Sequence, residues 1–177
     1  MIIGEAVVDQ GGGVLGGRRE RTGVVCQAVG AETIEVRRFL AAAWPLADRR
    51  IFGGQPDWTS RPVVVEARAG WDRALVGVAV GEAVAGMARL HDVLVAEAAQ
   101  GRGVGGQLVE LFCARAAELG AGRCFLRCPD TERHRRFYER LGFVQLARLP
   151  RYYHGHDFLE YLREPLPGGG HTRSSGG

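Results

Sequence analysis

The amino-acid sequence predicts an α/β fold, and three observations carry that reading. Apolar residues recur with helical spacing in some segments and alternate or run together in others. The two kinds follow one another as one strand, two helices, three strands, a helix, a strand, a helix and two strands. Clusters rich in glycine punctuate the series. With 177 residues, 46% apolar and 24% charged, the chain has material for one sizeable core and too much apolar character for a disordered polymer.

Residues 1–22 hold Gly11, Gly12, Gly13, Gly16, Gly17 and the charges Arg18, Arg19, Glu20 and Arg21, a composition that predicts a flexible leader. Residues 23–29 read as the first strand. Ile34, Val36, Phe39 and Leu40 give residues 32–42 a helical face, Trp44-Pro45 ends it, and a second short helix runs to Phe52. Strands are expected over 62–67, 74–80 and 87–95. The turn signals Ala69-Gly70-Trp71-Asp72 and Gly81-Glu82 join them as antiparallel hairpins. A helix over 103–119, a strand over 123–128, a helix over 131–141 and strands over 143–149 and 157–162 complete the series. Asp130 or Thr131 can cap the helix over 131–141. Gly142 followed by Phe143 predicts a left-handed stop at its end. Residues 166–177, rich in Gly and Ser, read as a disordered tail. Residues 23–165 are left as the domain.

Composition excludes several classes. The net charge of +3 is too mild to point to nucleic acid. Residues 1–8 are apolar but short, contain Glu5 and lack a basic start, unlike a signal peptide. No run reaches membrane-spanning length, so a cytoplasmic protein without a membrane partner is expected. All 23 residues in the Lys and Arg class are arginine, which with the abundant Ala, Gly and Val suggests a bacterial, GC-rich source. Cys26, Cys113, Cys124 and Cys128 lack the paired spacing of a zinc site. Cys124, Leu126 and Cys128 alternate on one face of their strand and read as small buried thiols in a reducing compartment.

The informative segment is Gln100-Gly101-Arg102-Gly103-Val104-Gly105-Gly106, between the strand ending at Val95 and a helix with apolar Val104, Leu108, Leu111 and Phe112. Glycines let a backbone bend tightly and approach a ligand. The first N–H groups of a helix lack internal partners and sit at the positive end of its dipole, a ready site for phosphate. A phosphorylated cofactor is therefore expected. Gly101-x-Gly103-x-x-Gly106 also fits the dinucleotide pattern, but five residues part it from the strand and it lies late in the chain, whereas that motif usually opens its domain.

Gln100-Gly101-Arg102-Gly103-Val104-Gly105 resembles the Q/R-x-x-G-x-G/A motif of the GNAT superfamily of acyl-coenzyme-A-dependent N-acetyltransferases. Phe137-Tyr138-Glu139-Arg140-Leu141-Gly142-Phe143 resembles the close of the same family's later helix. The likeness spans roughly residues 23–163. It implies a mixed, mainly antiparallel sheet with helices on both faces and two strands that splay to admit the pantetheine arm. It implies acetyl-CoA as cofactor and an amine as acceptor. The backbone of Gly101, Arg102, Gly103, Val104, Gly105 and Gly106 would hold the diphosphate, and a side chain at Gly105 would intrude on it. Gln100 and Thr131 belong to the same cofactor set, and backbone groups of Val93 and Val95 would line the pantetheine and thioester. Tyr138 occupies the place of the tyrosine that protonates the leaving thiolate in many members; a phenol of pKa about 10 is protonated at neutral pH and serves as an acid untuned. The chain departs from the family's habits at Glu97, often Pro, at Ala99, often aromatic, and at Thr131, often Asn.

The base is left between three candidates. His91, with a free pKa of about 6.5, stands where some members carry Glu. Asp92 follows it, on the opposite face of a regular strand. A chain of waters is the third. Tyr152, Tyr153 and Asp157, before and within the last strand, suit a cationic acceptor by stacking and charge. A small-molecule primary amine is the expected acceptor. A peptide or protein N-acetyltransferase and a non-catalytic CoA-binding domain are the alternatives. Self-association into a homodimer is left open.

Overall fold

The structure is a computed structural model that describes residues 19–21, 24–26, 28–70 and 73–167, the first two stretches by their backbone alone. The leader before residue 19 and the tail beyond residue 167 lie outside the described residues. The chain divides into two compact units, Met1–Gln55 and Pro56–Gly177.

In the first unit, β1 (Arg19–Arg21) pairs antiparallel with β2 (Val24–Cys26). A strand thus begins inside the stretch read as leader, and the strand expected over 23–29 is described as a three-residue arm. One helix, α1 (Ile34–Phe52), replaces the two expected. Pro45 lies inside it and does not break it. A proline removes one helical hydrogen bond and strains one turn. Here both ends are secured: Thr33 accepts from the Val36 N–H, and Gly53, with φ 72°, donates to the Arg49 carbonyl at 3.1 Å.

The second unit contains β3 (Arg61–Ala69), β4 (Ala74–Val84), β5 (Met87–Val95), α2 (Val104–Glu118), β6 (Arg123–Pro129), α3 (Glu132–Arg140), β7 (Val144–Tyr153) and β8 (His156–Arg163). The strands form one six-stranded sheet in the order β3-β4-β5-β6-β8-β7. β5 and β6 run parallel and the other neighbours antiparallel. A mixed, mainly antiparallel sheet is the class expected from the sequence. Alternation puts Val63, Ala79, Leu90, Leu126 and Leu159 on one face, where they meet Leu108 and Phe112 of α2 and Tyr138 of α3 in a single core. Burying Leu108 or Phe112 contributes roughly 2–3 kcal/mol each. Cys113, Cys124 and Cys128 are free thiols buried in this core, the last two as the strand alternation predicts. Burial, with Asp130 next, pushes the Cys128 thiol up to about 12. At the end of α3, Gly142 has φ 78° and Phe143 N–H reaches the Tyr138 carbonyl at 3.1 Å, the expected stop.

Gly81, a turn signal in the sequence, lies instead within β4. A Cβ there would stand 1.9 Å from the Arg89 carbonyl oxygen and 2.8 Å from the Phe112 ring. Glycine is required by close approach, where β4 presses on β5 and α2. The turn is Ala85-Gly86, both with positive φ, as a tight hairpin demands. At Gly81 the register slips: Val80 faces Asp92 but Gly81 faces Leu90, so His91 is the extra residue of a β-bulge. The parallel pairing of β5 with β6 ends at the same level, at Leu90 and Leu126. Beyond it, β5 pairs with β4 and β6 with β8, and an opening lies between them.

Gly81→Ala is expected to cost about 2 kcal/mol or more, because the added methyl must displace backbone. Urea denaturation measures it, and parent-like stability would show that β4 has room to spare.

Candidate active site

The loop between β5 and α2 is braced at its start. Gln100 Nε2 donates to the Val95 carbonyl at 2.9 Å, and Gln100 Oε1 accepts from Arg133 Nη2 on α3 at 3.1 Å. Gln100, assigned to the cofactor from sequence, has its amide committed to holding loop, strand and helix together. Gly103 forms the N-cap of α2 in left-handed conformation, φ 80°, and nothing stands within 4 Å of where its Cβ would be. Gln107 N–H bonds to the Gly103 carbonyl at 3.1 Å, so the N–H groups of Val104, Gly105 and Gly106 precede the helical ladder. They sit at the positive end of α2, beside exposed Arg102. An anionic diphosphate fits such a cradle. Gly105 corrects one detail. Its Cβ would lie 3.5 Å from the Phe137 ring and 3.8 Å from Val95, so it faces the seam between α2, α3 and β5 and not the loop mouth.

The bulge decides where the candidate bases point. Val80 lies between buried Ala79 and Gly81, so it and its partner Asp92 face outward, away from the core. Glu82 does the same, and His91 Nε2 lies 3.9 Å from Glu82 Oε1. His91 and Asp92 therefore share the outer face, where strict alternation would have separated them. Val93 and Val95 turn back to pack against the core. Across the opening, Arg127 of β6 is on the same outer face. It donates to Glu160 Oε1 at 3.1 Å and to the Tyr152 hydroxyl at 2.5 Å. Tyr152 joins His91 and Asp92 on this face.

Thr131 and Asp157 belong elsewhere, and Tyr153 bridges the two places, its ring 4.6 Å from that of Tyr152. They line a cleft of about 500 Å³ at the start of α3, with Asp130, Arg148 and His156. Thr131 caps α3, accepting from the His134 N–H at 3.3 Å, and its hydroxyl lies 2.7 Å from His134 Nδ1. Burial, and then the charge of Arg133, holds His134 below the usual histidine range, so the ring is neutral at pH 7 and Nδ1 can accept from that hydroxyl. The Asp130 carboxylate, 5% exposed, takes Arg135 and Arg148. Asp157 takes Arg148 at 2.8 Å through one oxygen and the Arg151 N–H at 2.9 Å through the other. Both carboxylates thus have internal cationic partners, and Asp157 was read from sequence as a free receptor for an amine.

Tyr138 is 7% exposed and packs edge-on against Phe137 at 4.9 Å and Phe143 at 5.7 Å. Burial, then Cys128 and Cys124, pushes its phenol well above the ordinary range. It is a protonated donor across the physiological range. Sequence reasoning missed Ser60, Glu82, Arg127 and Glu160. Their signal is register, which joins residues 22 and 33 apart in sequence and which no local pattern carries.

A sequence model of the acetyltransferase (GNAT) family matches residues 32–143, well over half of the chain and through the whole of the α3 motif. The chain belongs to the GNAT acetyltransferase family. Solved structures agree on the fold. An acetyltransferase from Bacillus cereus aligns over 78% of this chain and 97% of its own, with TM-score 0.62 and 14% identity. A nourseothricin acetyltransferase aligns over 66% and 69%, with TM-score 0.52 and 28% identity. The ribosomal-protein-S18-alanine N-acetyltransferase of Escherichia coli aligns over 59% and 69%, with TM-score 0.52 and 21% identity. No curated protein matches the chain. Among the described residues, no helix of this GNAT chain is long and apolar enough to cross a membrane.

Proposed function

We propose that the chain transfers the acetyl group of acetyl-CoA to a primary amine of a small molecule, by direct attack of the amine on the thioester. The observation that carries this reading is the open start of α2. Three backbone N–H groups stand there behind a left-handed glycine, beside Val95 at the end of the β5 stretch that has left β6. In this reading the N–H groups of Val104, Gly105 and Gly106 hold the diphosphate, with Arg102 adding charge. The β5 edge from Val93 to Val95, released from β6, offers backbone groups to the pantetheine and the thioester carbonyl. Tyr138 supplies the proton that the departing sulfur needs. His91 takes the proton that an ammonium must lose before it attacks, with Asp92 and water as the other candidates. The outer face, with Asp92, Glu82 and the Tyr152 ring, suits a cation. The likeness to a nourseothricin acetyltransferase supports a small acceptor; at 21% identity, that to the S18-alanine enzyme supports the fold alone.

Gly105→Glu is expected to abolish acetyl-CoA binding. The new side chain must either push aside Phe137 and Val95 or turn outward and bring a carboxylate to the helix start, where it repels the diphosphate. Calorimetry on a variant shown to be folded by circular dichroism checks this, and near-native affinity would refute the placement.

Tyr138→Phe keeps the ring packing and removes the donor. Turnover should fall by roughly 10- to 100-fold while acetyl-CoA affinity stays, since the contribution belongs to the transition state. Turnover at the parent rate would make Tyr138 a packing residue.

With a small primary amine drawn from a panel of amines, polyamines, amino acids and aminoglycosides, activity should rise from mildly acid to mildly alkaline pH as ammonium becomes amine. His91→Ala should flatten or displace that rise; an unchanged profile assigns the role to Asp92 or water. Efficient acetylation of peptide N-termini with every small amine refused would overturn the small acceptor.

A further inference from the structure

We propose that Ser60, Glu82 and His91 form a relay on the outer face of the sheet, with Glu82 as a positioning residue for His91. The inference rests on the acetyl transfer proposed above. Ser60 Oγ donates a hydrogen bond to Glu82 Oε2. The other oxygen, Oε1, is turned to His91 Nε2, 3.9 Å away. Glu82 is 26% exposed and His91 50%, so the carboxylate is sheltered while the ring remains open to a substrate.

A carboxylate facing one ring nitrogen fixes the tautomer that carries hydrogen there. Glu82 thereby places hydrogen on Nε2 and leaves the lone pair on Nδ1. The 3.9 Å gap exceeds a hydrogen bond and closes by a modest side-chain rotation or through one water, as catalytic contacts often tighten on substrate binding. The bulge makes the pair possible, because it turns His91 to the face that Glu82 occupies. The other charged groups on that face are Glu66 of β3 (paired with Arg68), Arg89 and Asp92 of β5, Arg127 of β6 and Glu160 of β8, and Arg127 is bonded to Glu160 and Tyr152.

His91 Nδ1 takes one proton from the substrate ammonium. The freed nitrogen lone pair forms the C–N bond at the thioester carbonyl, the C–S bond breaks, and the second proton lost by nitrogen ends on the thiolate sulfur. The imidazolium rests beside the Glu82 carboxylate and returns its proton to solvent. Ser60 holds that carboxylate in place.

Imidazole ¹⁵N spectra of the full chain are expected to show hydrogen on Nε2 of His91, and Glu82→Ala should give mixed tautomers. Glu82→Ala should lower kcat about tenfold with the KM for acetyl-CoA unchanged, and should add nothing on a His91→Ala background. Glu82→Gln, which keeps the shape without the charge, should fall likewise and serves if Glu82→Ala does not fold. Ser60→Ala should cost less, and Ser60→Thr should restore the rate. Hydrogen on Nδ1 in the parent, losses from Glu82→Ala and His91→Ala that multiply, or parent turnover in His91→Ala would each overturn the relay. The spectra need no turnover, so a parent inactive towards every amine would overturn the functional reading instead.

Discussion

At Gly81, β4, β5 and the Phe112 ring of α2 come closer than any side chain would permit, and much of the site depends on that approach. The register of β4 and β5 slips at the same place, leaving one residue of β5 over, and that residue is His91. The slip reverses the phase of everything after it. Val93 and Val95 turn to the core, Asp92 turns outward, and β5 leaves β6 just beyond Leu90. The close approach at Gly81, the slip, the direction of the candidate bases and the end of the β5–β6 pairing thus fall at one level of the sheet.

Charge is divided between the two sides of the sheet. On the α3 side, Asp130 and Asp157 are neutralised by Arg135 and Arg148, and the nearly buried Asp130 would be costly to leave without those partners. Exposed pairs such as Arg115 with Glu118 contribute little by comparison. On the outer side, Glu82 and Asp92 lie beside an imidazole and Glu160 beside Arg127. The first arrangement stiffens the β6–α3 corner. The second leaves acidic groups near the opening.

The sequence made the second unit legible because its signals are local. The glycine loop, the Thr131 cap and the Gly142 stop each need only a few adjacent residues, and each appears where expected. The failures share a cause. Pro45 was given the power to end a helix that strong caps at Thr33 and Gly53 hold together. Gly81 was taken for a turn because glycine signals both tight bends and close contacts, and neighbours in space decide between them. Asp157 looked like a free acid because Arg148, nine residues away, meets it only once β7 pairs with β8. The Glu82–His91 approach depends on a register slip that periodicity cannot express.

The Gln100 brace has a consequence of its own. Its amide ties the end of β5 to the loop and, through Arg133, to the first turn of α3, while the ring of Phe137 stands where a Gly105 side chain would begin. The loop at the start of α2 and the helix carrying Tyr138 are thereby tied together as one body. A ligand that enters such a body spends little of its binding energy on ordering loops. On the function proposed here, more is then left to act on the reacting bond, and a long cofactor would be gripped at both ends by parts already tied to each other.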